Sequence, residues 1–290
     1  MSDRLTDSHR DDVRVAIPVL EFHVAFGCNL TCESCSHYSN HTHAGNAAPS
    51  ELERQIALWN QKIVPKSFRL LGGEPTLNKD LLDLIRIARL GWPATEGTQL
   101  ELITNGLRLE RFPGLPALLE QTDTRLVISV HHDAPDYKRA MEPVRELVEG
   151  WQAAHALRVH WRGSHKYWTR RYHGYGSAMK PFADGDQRAS WTNCPAKLCV
   201  QMYDDKLWKC PALAYLPMQH AKYQLGPEWQ PYLQYEALGA EATLPEVAAF
   251  LAREDEPMCL MCPAKPPRFD KPNPLTKART ERSEKQSGRL

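Results

Sequence analysis

The sequence predicts an α/β fold with a parallel sheet covered by helices. Two observations lead to this prediction. Apolar segments of strand length alternate along the chain with longer segments whose apolar residues recur every three to four positions, typical of amphipathic helices. The strand-like segments are apolar almost throughout, typical of parallel strands that are buried on both faces.

The elements follow one another in a regular order. Ser50 is expected to cap the first helix, along which Leu52, Ile56 and Trp59 repeat at helical spacing. Asn78 or Asp80 opens the second helix. The predicted strands are residues 19–25, 68–71, 100–104, 125–130 and 157–161, and the predicted helices are residues 51–62, a segment after residue 80, and 135–153 with a break at Pro143.

Composition excludes several classes of protein. The chain has 290 residues and a formal net charge of +1, which argues against a nucleic-acid substrate or a charged membrane surface. It has no apolar run long enough for a transmembrane helix, and its first residues lack a signal-peptide core. We therefore expect a cytoplasmic protein whose eight cysteines are metal ligands rather than disulfides.

Three of these cysteines, Cys28, Cys32 and Cys35, have the spacing C-x3-C-x2-C. Three thiolates this close can hold three irons of a [4Fe–4S] cluster and leave the fourth iron open for chemistry. The spacing alone also permits zinc, because Cys32 and Cys35 could combine with Cys259 and Cys262 in a four-cysteine site.

Two further motifs follow predicted strands: Gly72-Gly73-Glu74-Pro75 and Thr104-Asn105-Gly106. With the three cysteines, they make residues 16–160 resemble the radical S-adenosylmethionine (SAM) superfamily. The resemblance implies a partial (β/α)6 barrel, open on one side and TIM-like, with its reactive groups at the carboxyl ends of the strands.

The resemblance also implies the chemistry. Cys28, Cys32 and Cys35 would bind a [4Fe–4S] cluster, and SAM would be cleaved reductively to a 5′-deoxyadenosyl radical that abstracts hydrogen from the substrate. An electron donor such as flavodoxin or ferredoxin is expected. The residues expected to contact SAM are Gly72, Gly73, Glu74, Thr104, Asn105 and Ser129.

The other five cysteines are Cys194, Cys199, Cys210, Cys259 and Cys262. The segment between Cys199 and Cys210 predicts a hairpin with its turn at Asp204-Asp205. This region resembles the twitch domain, a shortened relative of the SPASM domain, which implies one auxiliary [4Fe–4S] cluster. Cys210, Cys259 and Cys262 are expected ligands, and Cys194 and Cys199 compete for the fourth place. A zinc ribbon is the alternative.

We therefore predict four parts of the chain. Residues 1–15 are an N-terminal extension, 16–193 the radical SAM barrel, 194–263 the twitch-like domain and 264–290 a basic, proline-rich tail. From Lys265 onward the tail has eight Lys or Arg residues against three Asp or Glu, and we expect it to be disordered or draped on the surface.

Substrate-binding candidates lie in an aromatic and basic stretch, since Arg suits anions and aromatic faces suit rings. They are Arg162, His165, Trp168, Arg170, Arg171 and Tyr172. His131, His132 and Asp133 follow a strand and are the candidate acid/base residues. An exposed loop is the alternative for both groups.

The leading functional hypothesis is an oxidoreductase that acts on a small polar metabolite, such as a sugar, an aminocyclitol or an anion. The analogy is to a twitch-domain alcohol dehydrogenase acting on an aminocyclitol. A second hypothesis keeps the radical chemistry and makes the substrate a ribosomally made peptide. A third, of another class, is a zinc-stabilised binding module without SAM chemistry.

Overall fold

The computed structural model describes residues 14–275, which contain one sheet of seven strands in the order β5-β4-β3-β2-β1-β6-β7. The first six strands run parallel, and β7 is antiparallel to β6. The strands are β1 (Val15–Ala25), β2 (Ile63–Gly72), β3 (Gln99–Thr104), β4 (Thr124–Val130), β5 (Val159–Gly163), β6 (Cys199–Tyr203) and β7 (Lys206–Trp208). The predicted α/β class, with an open TIM-like parallel sheet, is confirmed.

Nine α-helices occur within the described residues. They are α1 (Pro49–Trp59), α2 (Leu81–Gly91), α3 (Leu115–Gln121), α4 (Pro135–Ala154), α5 (Gln187–Thr192), α6 (Pro211–Ala214), α7 (Leu216–Tyr223), α8 (Gln230–Leu233) and α9 (Leu244–Ala252). The first four connect successive strands, as the alternating pattern predicts. None of the helices in residues 14–275 is long and apolar enough to cross a membrane.

Helix α4 is continuous through Pro143, so the predicted break there is wrong. Proline removes one backbone hydrogen bond from a helix interior. The same helix buries Tyr137, Met141, Val144 and Val148 against the core. Burial of four large side chains on one face outweighs the loss of one hydrogen bond.

The predicted hairpin is confirmed, and its first strand extends the main sheet. Asp204 and Asp205 both have positive φ angles, 52° and 62°, which suits a two-residue turn between antiparallel strands. Strand β6 pairs with β1, with Cys199 opposite Val19. Residues 194–263 are therefore attached to the barrel through a shared sheet, and their division into a separate domain stays a prediction.

Two apolar clusters form the interior. The larger lies between the sheet and the first helices, and the smaller includes Tyr38, Met179, Trp208, Trp229 and Met261. In the smaller cluster, the Trp229 indole donates to the Met179 carbonyl at 2.8 Å. The cysteine-rich region therefore has its own small core beside that of the barrel.

The described part of the basic tail, residues 265–275, contacts the barrel. Thr169 and Arg268 form an antiparallel bridge, and both the backbone N–H and the hydroxyl of Thr31 donate to the Pro274 carbonyl. Lys271 is only 7% exposed. The predictions for residues 1–13 and 276–290 lie outside the described residues.

Candidate active site

A cavity of about 350 Å³ opens where strands β1 to β5 end. Cys28, Cys32 and Cys35 line it from the loop after β1, and Gly72 and Gly73 line it from the end of β2. The later strand ends contribute Thr104, Asn105, Ser129 and Arg162. The fold thus brings all three sequence motifs to one cavity, as expected for the carboxyl edge of parallel strands.

The three thiols are largely buried. Burial raises the pKa of Cys32 to about 12, and the neighbouring Lys271 ammonium opposes that rise. The Leu30 N–H points at the Cys28 sulfur at 3.4 Å. Thiolates are the form that binds metal, so ligation here would displace protons from these buried thiols. Three cysteine donors in one cavity fit the cluster that the C-x3-C-x2-C spacing predicts.

The two glycines allow the loop after β2 to dock on the loop after β1. A Cβ atom on Gly73 would lie 1.9 Å from the Gly27 carbonyl oxygen, which is a clash with fixed backbone. Gly73 N–H donates to the Ala25 carbonyl at 2.7 Å, and Glu74 N–H donates to the Gly27 carbonyl at 2.9 Å. Glycine is therefore required here for close backbone approach.

Glu74 is fully buried and bonded to protein donors. Its carboxylate accepts from the Thr76 N–H and hydroxyl, from the Thr104 hydroxyl and from the Asn105 N–H. The Asn105 amide in turn donates to the Asn29 side chain at 2.7 Å. Burial raises the pKa of Glu74, and these hydrogen bonds oppose the rise. Glu74, Thr104 and Asn105 hold the cavity wall together.

Ser129 and Arg162 form a pair on adjacent strands. Arg162 Nη2 donates to the Ser129 hydroxyl at 2.8 Å. Its Nε is buried, and no partner for it occurs in residues 14–275. Arg162 lines the cavity, and a guanidinium in that position suits a carboxylate or phosphate group.

A row of ionic side chains crosses the interior below these groups. Glu21, Arg69 and Glu101 are in register on β1, β2 and β3. Arg69 bonds both acids, at 3.3 Å to Glu21 and 2.8 Å to Glu101, and Gln201 on β6 donates to Glu21 at 2.7 Å. Glu21 and Arg69 also line the cavity. They form a charged floor that accepts polar groups more readily than apolar ones.

The five remaining cysteines divide into two groups. Cys194, Cys210, Cys259 and Cys262 line one small pocket of about 50 Å³. Cys199 lies elsewhere, at the start of β6, where it lines the main cavity. Burial and the adjacent Glu21 carboxylate raise the pKa of Cys199. Across residues 14–275, no three Cys, His, Asp or Glu side chains meet in the geometry of a site for one metal ion.

The structure places the three candidate acid/base residues in different surroundings. His131 lines the cavity, and its Nδ1 is buried without a partner in the described residues. Burial lowers the pKa of His131 to about 3, so the imidazole is neutral. His132 instead lies 3.0 Å from the Lys271 carbonyl, and Asp133 is exposed. Only His131 is placed to contact a ligand.

Only some of the substrate-binding candidates line the main cavity. Arg162, Trp168 and Arg171 line the cavity. His165 lies near the Val130 carbonyl, and Arg170 pairs with Glu33 at 2.6 Å. Tyr172 is 3% exposed, is bonded to Asn40 and His41, and borders a second small pocket that Cys194, Cys210 and Cys262 also line.

Sequence reasoning missed three charged residues that the structure places near the cavity: Glu21, Arg69 and Lys271. Glu21 and Arg69 each interrupt an apolar strand, between Leu20 and Phe22 and between Phe68 and Leu70. A charge inside a buried strand is unusual, and that signal was available. Nothing in the proline-rich tail distinguished Lys271 from its neighbours.

Comparisons with known proteins agree with this geometry. The family model described as the Radical SAM superfamily matches residues 23–163. A GTP 3′,8-cyclase of Aquifex aeolicus is 31% identical over 132 residues, which cover 43% of this chain and 39% of that protein. A probable GTP 3′,8-cyclase of Archaeoglobus fulgidus is 30% identical over 103 residues, 36% of this chain and 32% of that one.

The chain thus matches about two fifths or less of the length of these curated relatives. Among solved structures, BtrN in complex with AdoMet and 2-DOIA is 12% identical, with a TM-score of 0.49 over 88% of this chain and 98% of that one. The family match spans the strand ends that carry the three cysteines and both later motifs. The segment from residue 23 to residue 163 belongs to the radical SAM superfamily.

Proposed function

We propose that this chain is a radical SAM oxidoreductase that acts on a small polar metabolite and holds an auxiliary [4Fe–4S] cluster on Cys194, Cys210, Cys259 and Cys262. The observation that carries the proposal is the main cavity. The three cysteines and the ionic pair of Glu21 and Arg69 all line it.

Different residues of the chain would contribute to different parts of the SAM site. Arg162, which lines the cavity and is held by its bond to Ser129, suits the carboxylate of the methionine group. Gly72 and Gly73 let the loop after β2 pack against the end of β1 and the start of the cysteine loop. When bound, the cluster and SAM supply one-electron chemistry that yields a hydrogen-abstracting 5′-deoxyadenosyl radical.

The floor of the cavity favours a zwitterionic or polyhydroxylated substrate. It presents a carboxylate from Glu21, a guanidinium from Arg69 and a neutral thiol from Cys199. Such groups can also bond ammonium, hydroxyl and carboxylate groups of a ligand, whereas an apolar ligand would displace water from them without replacing its hydrogen bonds. A cavity of about 350 Å³ is at the small end of the range for ligand sites.

The second set of cysteines is close to this cavity. The main cavity shares three lining residues with the pocket that Tyr172, Cys194, Cys210 and Cys262 border. These shared residues are Arg171, Ala196 and Pro211. A single layer of residues therefore separates the two spaces. An auxiliary cluster there would supply an acceptor for one electron from the substrate, which supports net two-electron oxidation.

The test is anaerobic reconstitution followed by iron analysis, EPR and measurement of 5′-deoxyadenosine. We expect about eight irons in the parent and about four in a Cys28/Cys32/Cys35→Ala triple variant, with 5′-deoxyadenosine from the parent alone. The parent is then assayed with aminocyclitols, sugars, amino acids, GTP (named for the curated relatives) and peptides.

Stimulation of 5′-deoxyadenosine formation by a small polar compound supports the proposal. Stimulation by peptides alone would overturn the assignment of a small substrate. Zinc without iron after reconstitution would leave a zinc-binding module and overturn the radical chemistry as well.

A further inference from the structure

The described part of the C-terminal tail forms a strap, residues 265–275, over the loop that carries Cys28, Cys32 and Cys35. Its start is fixed where the Arg170 N–H donates to the Pro267 carbonyl at 3.0 Å. Its end is fixed where the Thr31 N–H donates to the Pro274 carbonyl, also at 3.0 Å. The strap is thus bonded within the cysteine loop itself, because Thr31 immediately precedes Cys32.

Lys271 lies in the middle of the strap and points inward. Its ammonium nitrogen is 3.8 Å from the Cys32 sulfur and 3.9 Å from the centre of the Trp168 ring. Its carbonyl is 3.0 Å from His132 Nε2, and the Trp168 indole donates to the Glu33 carbonyl at 2.8 Å. Contacts from three separate segments therefore fix this ammonium beside one of the three cysteines.

The charge of Lys271 has no carboxylate partner within residues 14–275; its close contacts are the Cys32 sulfur and the Trp168 ring. A buried ammonium without a counter-ion is costly in free energy. The cation–π contact offsets only part of that cost. When Cys28, Cys32 and Cys35 bind iron they do so as thiolates, and these supply the missing negative charge.

We propose that Lys271 is a positioning residue whose fixed charge makes the cluster on Cys28, Cys32 and Cys35 easier to reduce. Reduction adds one electron, delivered by a low-potential donor of the flavodoxin or ferredoxin class, and no bond is made or broken. The added negative charge is stabilised by a cation held nearby in a medium of low dielectric. Charge and hydrogen bonding at the sulfurs are recognised determinants of cluster potential.

This inference rests on the proposed cluster, and its test is a reduction potential rather than turnover. The midpoint potential is measured by EPR-monitored titration, with the signal of this cluster identified by its change on adding SAM. Lys271→Met removes the charge, Lys271→Arg keeps it, and Lys265→Met removes an exposed charge from the same strap.

We expect Lys271→Met to lower the equilibrium constant for reduction at least tenfold, a shift of about 59 mV to more negative potential for a one-electron couple. Lys271→Arg and Lys265→Met should stay close to the parent. The midpoint potential of Lys271→Gln is measured in the same series. This second neutral variant tests the effect of the charge if Lys271→Met does not retain iron.

An unchanged potential in the neutral variants, or an equal shift in Lys271→Arg, would overturn the inference while leaving the proposed function intact. A parent without iron at Cys28, Cys32 and Cys35 would instead overturn the proposed function and this inference together.

Discussion

The Thr104 hydroxyl donates a 2.5 Å hydrogen bond to the buried Glu74 carboxylate and so joins the end of β3 to the loop after β2. The same carboxylate accepts the Asn105 N–H at 2.8 Å. Thr104, at the end of β3, thus fixes Glu74 of the Gly-Gly-Glu-Pro motif that follows β2.

Glu74→Gln should destabilise the fold. The new amide N–H₂ would face the Thr76, Thr104 and Asn105 donors and leave at least one of them unpaired. We expect a loss of roughly 1–3 kcal/mol in the free energy of unfolding, measured by urea denaturation. Glu110→Gln, at an exposed position, is the matched control. Equal midpoints for the two variants would contradict this account of Glu74.

Cys194→Ser and Cys199→Ser should differ in iron content. Cys194 shares its pocket with Cys210, Cys259 and Cys262, whereas Cys199 lines the main cavity. We expect Cys194→Ser to lose about four irons after reconstitution and Cys199→Ser to retain them. Iron and sulfide analysis with EPR makes the comparison. The reverse pattern would assign Cys199 as the fourth ligand.

Arg162→Gln should weaken SAM binding. The variant loses a charged donor that faces the cavity, an interaction that contributes roughly 1.5–3 kcal/mol. The expected rise in Kd is therefore on the order of tenfold to a hundredfold, measured by equilibrium dialysis on reconstituted protein. Arg158→Gln removes an exposed charge from the residue just before β5 and should leave Kd unchanged. Equal affinities would place the SAM carboxylate elsewhere.

His41 should make stability depend on pH. It is fully buried between the Tyr172 hydroxyl at 3.1 Å and the Gln219 amide at 3.0 Å, and burial lowers its pKa from 6.5 to about 3. Between these pH values the unfolded chain binds more protons than the folded chain. The free energy of unfolding therefore falls as pH is lowered, by at most about 1.4 kcal/mol per pH unit for one group.

His41→Gln should be less stable at neutral pH and show a shallower loss of stability between pH 6.5 and about 3. Urea denaturation at a series of pH values measures both effects. His160→Gln, at an exposed position, should keep the parent's slope. An unchanged slope in His41→Gln would show that other groups account for the acid sensitivity.

Local pattern was sufficient to predict much of the fold. The strands predicted at residues 100–104 and 125–130 match β3 and β4 to within one residue, because each is an apolar run that ends in turn residues. The pattern underestimated β2, which begins at Ile63 rather than Phe68. Pro65 and Lys66 interrupt its apolar run, yet the strand pairs with β1 from its first residue. Helix α3 was missed because Pro116 and its short length obscure the periodicity.

Prediction of the site was limited by long-range contacts. Motif residues such as Cys28 and Gly73 were found because each belongs to a short motif of a few adjacent residues. Cys194 and Cys199 could not be told apart, because their separation depends on β6 joining β1. Lys271 could not be found, because only tertiary contact brings it to Cys32.

The pairing of β6 with β1 also sets an order of events during synthesis. Glu21 and Gln201, which bond across these strands, are 180 positions apart in the chain. At typical elongation rates of roughly 5–20 residues per second, the cysteine loop leaves the ribosome roughly ten to forty seconds before β6 does. During that interval its thiols have neither their neighbouring strand nor the strap. Oxygen and competing metals therefore have their best access to these cysteines on the nascent chain.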